Sequence, residues 1–187
     1  MEKSYERISP TAKFVAYART FTDIPFAKEM AAESGAEKTY RKLAGSVEPT
    51  ARFLPLWEAR YKATDRILNQ RGVTQILEIA AGLSPRGLAM TENSAVIYVA
   101  TDLPQVLEEE QTIAEAILAK LNSYRLNLHF QVANVLDYES LSRAATFFKS
   151  DKPIAVITEG LLPYLNNHEK EVSTNNIYKL LRKYCGI

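Results

Sequence analysis

Apolar residues along the chain change rhythm near Gly72. Up to that point they recur at steps of three and four, the spacing of one helix face. Ser9 is placed to cap a helix with Pro10 in its first turn, and Lys13 to Arg19 continue it. Asp23 and Pro25 open a second helix that stops near Gly35. Pro49-Thr50 and Pro55 precede a longer one. It has Leu56, Ala59, Ala63, Ile67 and Leu68 at helical spacing and Gly72 as its terminator. Residues 1–72 therefore read as a cap of three or four helices.

After Gly72 short runs rich in Val and Ile appear at 75–80, 95–101, 126–133 and 153–158, the lengths and composition of strands. Helical stretches lie between them at about 86–93, 103–122 and 138–149, and a last one covers about 167–184. The second has Val106, Ile113, Ile117, Leu118 and Leu121 on one side. Glu108, Glu109, Glu110 and Lys120 lie on the other. The last carries Val172, Ile177, Leu180 and Leu181. Strand and helix in alternation predict an α/β fold, a parallel sheet with helices on both faces. Ligands on such sheets sit outside the carboxyl ends of the strands. The strand-terminal residues are Gly82, Asp102, Asn134 and Glu159.

Composition narrows the function classes. The chain has 187 residues, enough for one domain with a substantial core. A net charge of +1 gives no electrostatic case for nucleic acid or an anionic membrane. One cysteine, Cys185, excludes an internal disulfide and points to a reducing compartment. The segment Met1 to Pro10 has no apolar core of a signal peptide, and no apolar run approaches the roughly 20 residues of a membrane span. The cytoplasm is the expected location. His129 and His168 are isolated, so no metal-ligand spacing exists. His129, inside an apolar strand, reads as a core histidine.

The strand ends carry the chemistry. Gly82 closes the run Gln75 to Ala81, and Asp102 closes the next run twenty positions later. A glycine lets a backbone approach a ligand, and an acid at the next strand end can take both ribose hydroxyls. The alternatives are a turn glycine and a helix N-cap before Pro104. Ala80 and Ser84 stand where a dinucleotide fingerprint would have glycines, which argues against a pyrophosphate and a nicotinamide-dependent oxidoreductase. Asn134 has the donor and acceptor to read a purine edge, or forms an Asx turn. Glu159-Gly160 follows the fourth strand, where a carboxylate could bind an ammonium or act as a base. It could equally be a loop acid, although Leu161, Leu162 and Tyr164 suggest a partly buried loop. Arg60 could clamp a carboxylate. It stands five before Asp65, too far round the helix to share its face, and an exposed arginine is the plainer reading.

Five passages, taken in order, resemble the class I S-adenosylmethionine-dependent methyltransferases, and among them the leucine carboxyl methyltransferase family with its polyketide-type O-methyltransferases. They are Thr11-Ala12-Lys13-Phe14, Arg60 through Asp65, Glu78-Ile79-Ala80-Ala81-Gly82-Leu83-Ser84-Pro85-Arg86, Tyr98 through Pro104, and Glu159-Gly160-Leu161-Leu162-Pro163-Tyr164-Leu165. The last is the most specific. The resemblance implies a Rossmann-like sheet of order 3-2-1-4 over 73–187, joined in one structural unit to the helical cap over 1–72. It implies S-adenosyl-L-methionine as cofactor. Lys13 and Arg60 would meet its carboxylate, Gly82 its amino-acid part, Asp102 the ribose, Asn134 the adenine and Glu159 the amino group. Glu78, Ala80, Leu103 and Val135 complete the implied cofactor-binding set.

The family fold continues for three further strands beyond the point where this sequence stops. The reading is therefore methyl transfer to a carboxylate or hydroxyl of a small acceptor. The alternative is an inactive cofactor-binding remnant, or half of an assembly completed through the fourth strand's open edge by another chain or a second copy. On that alternative the isolated chain is expected to be marginally stable or to self-associate. A carboxylate acceptor needs no general base, being ionised at neutral pH. A hydroxyl would need one, and no catalytic candidate stands out.

Overall fold

A computed structural model describes residues 10–44 and 50–185. Among the described residues four α-helices precede the sheet: α1 (Pro10–Ala18), α2 (Ala27–Glu33), α3 (Ala36–Ala44) and α4 (Thr50–Arg71). Ser9, the expected cap of α1, lies outside the described residues. The strands are β1 (Gln75–Ile79), β2 (Ile97–Asp102), β3 (Leu128–Val132) and β4 (Ala155–Thr158). The remaining helices are α5 (Arg86–Met90), α6 (Pro104–Lys120), α7 (Tyr138–Ala144) and α8 (Asn167–Cys185).

All strand pairs are parallel, in the order β3-β2-β1-β4. Register aligns Ile79 with Thr101 of β2 and Thr158 of β4. The residues that follow these three, Ala80 to Gly82, Asp102 and Glu159, therefore emerge together at one edge. Every residue of β1 is buried, as expected for a strand covered on both faces. Leu77, Ile79 and Val99 pack with Leu141 of α7 and Leu180 of α8 on one side. Ile76, Tyr98 and Ala100 pack with Leu68 of α4 on the other. There α6 adds Val106, Ile113 and Ile117 against Ala16, Met30 and Ala31 of α1 and α2.

Local chemistry explains where the elements stop. Gly72 ends α4 with φ at 61°, its N–H reaching Asn69 O and the next N–H reaching Leu68 O. That reciprocal pair is a Schellman stop, which a side chain at Gly72 would strain. Asp137 caps α7 by accepting from Glu139 N at 3.0 Å. Asn166 and Glu169 cap α8 reciprocally, each side chain taking the other's backbone N–H.

Four expectations from the sequence need correction. Pro55 lies inside α4 rather than before it. The apolar face of α4 is also turned. Leu56 and Ile67 are 59 % and 58 % exposed, while Tyr61 and Leu68 are the buried residues. Tyr61, two turns before Leu68, lies outside that apolar pattern, yet its buried ring is the larger apolar surface. In α6, Glu110 is only 3 % exposed and Leu121 is exposed, so the run of three glutamates does not lie on one solvent face. His129 is half-buried on the edge strand, stacked on Phe147 at 4.2 Å.

Ala80 takes a left-handed backbone, φ 56°, at the end of β1. A Cβ there costs roughly 1–2 kcal/mol, against about 0.5–1 kcal/mol of extra chain entropy for glycine. Ala80→Gly is therefore expected to raise the unfolding free energy by up to about 1 kcal/mol, read from the urea midpoint at constant slope. A lower midpoint would show that the strain is relieved in solution.

Candidate cofactor site

The glycine turn and the acid of β2 are joined directly. Gly82, at φ 58°, donates its N–H to Asp102 Oδ2 at 3.0 Å, and Leu103 N donates to Asp102 Oδ1 at 2.8 Å. Leu103, half-buried, is the N-cap residue of α6, and no side chain caps that helix. Asp102 thus ties the turn after β1 to the entry of α6 instead of capping it. Each of its oxygens keeps a lone pair for another donor. Burial pushes its carboxyl above the ordinary carboxylate range, and the two N–H groups oppose that shift. A Cβ built on Gly82 meets nothing within 4 Å, so the turn faces open space.

Beside this pair lies a balanced network of three arginines and three carboxylates. Arg86, fully buried at the start of α5, donates from Nε to Asp65 at 2.7 Å and from Nη1 to Glu78 at 2.7 Å. Its Nη2 donates to Glu159 Oε2 at 2.9 Å, and its guanidinium lies 4.1 Å from the centre of the Tyr61 ring. Glu78 also accepts from Tyr98 Oη at 2.6 Å. A carboxylate in the middle of a buried strand requires such partners. Glu159 Oε1 accepts from Arg60 Nη2 at 3.1 Å, Arg60 Nε at 3.2 Å and Arg19 Nη2 at 3.3 Å. Burial alone would raise the Glu159 carboxyl, but Arg19, Arg86 and Arg60 outweigh it and hold the group below its ordinary value. For Asp65 burial wins and its carboxyl is raised, although Arg86 pulls it down.

The sequence kept Arg60 and Asp65 apart on the helix, yet both enter this network, linked by Arg86 and Glu159. Arg86 stood unremarked within the glycine motif. The signal that could have found it is Glu78, an acid amid apolar neighbours that needs a buried cation. Arg19 and Tyr61 gave no local signal, because their partners are far away in the chain.

The remaining candidates lie elsewhere. Lys13 pairs with Glu109 of α6 at 2.8 Å. Asn134 is exposed, and its Oδ1 accepts from Leu136 N at 3.0 Å, closing the Asx turn. Val135 is buried, with its carbonyl accepting from Asn176 at 3.0 Å. In the loop after β4, Leu161 packs on the core while Leu162 and Tyr164 are exposed, so the loop is less buried than its composition suggested. Among the described residues no group of three or more His, Cys, Asp or Glu side chains could hold a metal ion. No described helix is long and apolar enough to cross a membrane.

The sequence matches the profile of the leucine carboxyl methyltransferase family over residues 11–177. It is also 33 % identical over 94 residues to a protein of Mycobacteroides abscessus whose name assigns it to the S-adenosyl-L-methionine-dependent methyltransferases. That alignment takes in 50 % of this chain and 29 % of the relative's length. With the parallel sheet and the strand-end residues already in place, the chain belongs to the leucine carboxyl methyltransferase family, within the class I S-adenosylmethionine-dependent methyltransferases.

Proposed function

We propose that this chain binds S-adenosylmethionine at the carboxyl edge of its sheet and serves methyl transfer to an oxygen of a small acceptor. The observation that carries this reading is the pairing of Gly82 with Asp102, set beside Glu159 and Arg60. The residues fit the group. Open space beside Gly82 admits a ligand backbone, and Asp102 retains acceptor capacity for a ribose diol. Glu159 and Arg60 offer one charge of each sign to a zwitterionic amino-acid end.

The cofactor, when bound, supplies a methyl group already activated on a sulfonium. The protein's share is to bind, align and keep water away. Asp102 accepts from the ribose hydroxyls, Glu159 accepts from the ammonium, and the Arg60 guanidinium turns to the carboxylate. We favour a carboxylate acceptor. It attacks as the anion present at neutral pH, and among the described residues no side chain is arranged as a base for a hydroxyl.

Calorimetry is the test. S-adenosylhomocysteine is expected to bind and NAD to give no heat, and binding of NAD alone would end this reading. Arg60→Lys should weaken S-adenosylhomocysteine by about 1 kcal/mol, because an ammonium cannot reproduce a two-pronged grip on a carboxylate. If lysine binds the ligand as well as arginine does, Arg60 has no part in the site.

A further inference from the structure

Glu159 Oε1 is held by two guanidiniums of unequal freedom. Arg60 is 47 % exposed on α4. Arg19, in the turn leaving α1, is 9 % exposed. Its Nη1 lies 3.4 Å from Leu83 O in the glycine turn, and its guanidinium lies 5.3 Å from the Tyr61 ring centre. Its Nε has no hydrogen-bond partner. Arg19 therefore connects the end of α1 to both loops that border the site, and it cannot leave without opening a buried charge.

We propose that Arg19 is a positioning residue for Glu159, holding Oε1 in place as an anion when Arg60 turns away to a ligand carboxylate. This rests on the cofactor reading above. The physical need is plain. An ammonium is recognised by a carboxylate that is ionised and aimed, and Glu159 is largely buried. Once Arg60 leaves, Arg86 alone would hold it, through the other oxygen. Arg19 supplies the fixed partner on Oε1. It is also the first of the charges that offset the burial of Glu159. The charged groups facing Glu159 are Arg19, Arg60, Arg86 and Asp65, and of these Arg60 is the most exposed arginine.

The test compares two ligands on three proteins. S-adenosylhomocysteine carries the ammonium, while 5′-methylthioadenosine keeps the nucleoside and sulfur but lacks the amino-acid end. Arg19→Gln is expected to lose about tenfold in affinity for S-adenosylhomocysteine and to stay within about twofold for 5′-methylthioadenosine. The loss should grow as the pH is lowered from about 6 toward about 4, because Glu159, held below its ordinary value in part by Arg19, protonates more readily without it. Arg19→Lys keeps the charge and should lie within about threefold of the native chain for both ligands. Equal losses for the two ligands would mean that Arg19 merely braces the Leu83 turn, and no loss for either would mean it does nothing here. Both results overturn the proposal while leaving the cofactor reading intact. Failure of the native chain to bind either ligand would overturn both.

Discussion

Replacing Arg86 with alanine is expected to lower the unfolding free energy by about 3–5 kcal/mol, the range for removing one partner of a buried ion pair. Arg86 is fully buried and gives one N–H to each of Asp65, Glu78 and Glu159. Its loss leaves Glu78, itself buried within β1, with Tyr98 Oη as its remaining hydrogen-bond donor. Two competing effects set the size. The guanidinium's own desolvation is recovered, but three acids then face one another in a region of low dielectric, and the second effect is larger. Arg86→Met combined with Glu78→Gln removes a charge of each sign and keeps an acceptor for Tyr98. That pair should recover at least half of the loss.

The pH dependence follows from Glu159, whose carboxyl is held below its ordinary value of 4.5. A depressed acid adds stability that is fully present above its unfolded pKa and is lost as the pH falls through the folded value. The gap between native and Arg86→Ala proteins is therefore widest near neutral pH and narrows below about pH 4. Urea titrations at both pH values measure it. A deficit under about 1 kcal/mol at neutral pH would show the network to be hydrated rather than buried.

The second large effect concerns Asp102. Asp102→Ala should weaken S-adenosylhomocysteine by about 1.5–3 kcal/mol, the worth of hydrogen bonds to a charged group. Asp102→Asn, which retains one acceptor oxygen, should fall between alanine and the native chain. Part of any loss could come from the glycine turn, since Gly82 N–H loses its acceptor too. Gly82 lies at the open edge, where water replaces that bond, so the turn's share should be small beside the ribose contacts. Unchanged affinity in the alanine variant would remove Asp102 from the site.

Much of this arrangement was legible in the sequence for definite reasons. Strand lengths and Val/Ile runs located all four strands, and the alternation with helices led to the parallel sheet. Gly82, Asp102 and Glu159 were found because strand ends in such a sheet converge by topology, whatever the side chains do. The network behind them was not legible. Arg86 meets Glu159 across 73 residues and Arg19 meets it across 140, and pairing over such distances leaves no periodic trace. Glu110 was misplaced because Glu108, Glu109 and Glu110 look alike in a line. A helix turns each of them by about 100°, and the third is turned inward and buried. Burial raises its carboxyl well above the usual range, with the Glu78 and Asp102 carboxylates adding to the shift. The turned face of α4 has the same origin: alanines and leucines outnumber one tyrosine in a count, but not in buried area.

The Schellman stop at Gly72 makes α4 a lever. Arg60 lies 72 − 60 = 12 residues before that fulcrum. At roughly 1.5 Å of rise per residue its Cα is about 18 Å away, so each degree of tilt moves it by about 0.3 Å. Three degrees would shift the guanidinium by about 1 Å, the difference between a good hydrogen bond and none. The bearing of that helix is set between fulcrum and tip by the Asp65 to Arg86 pair and by the Tyr61 ring beneath the same guanidinium. The reach of an exposed side chain at the rim of the candidate site is thus governed by a glycine and a buried ion pair that lie behind it.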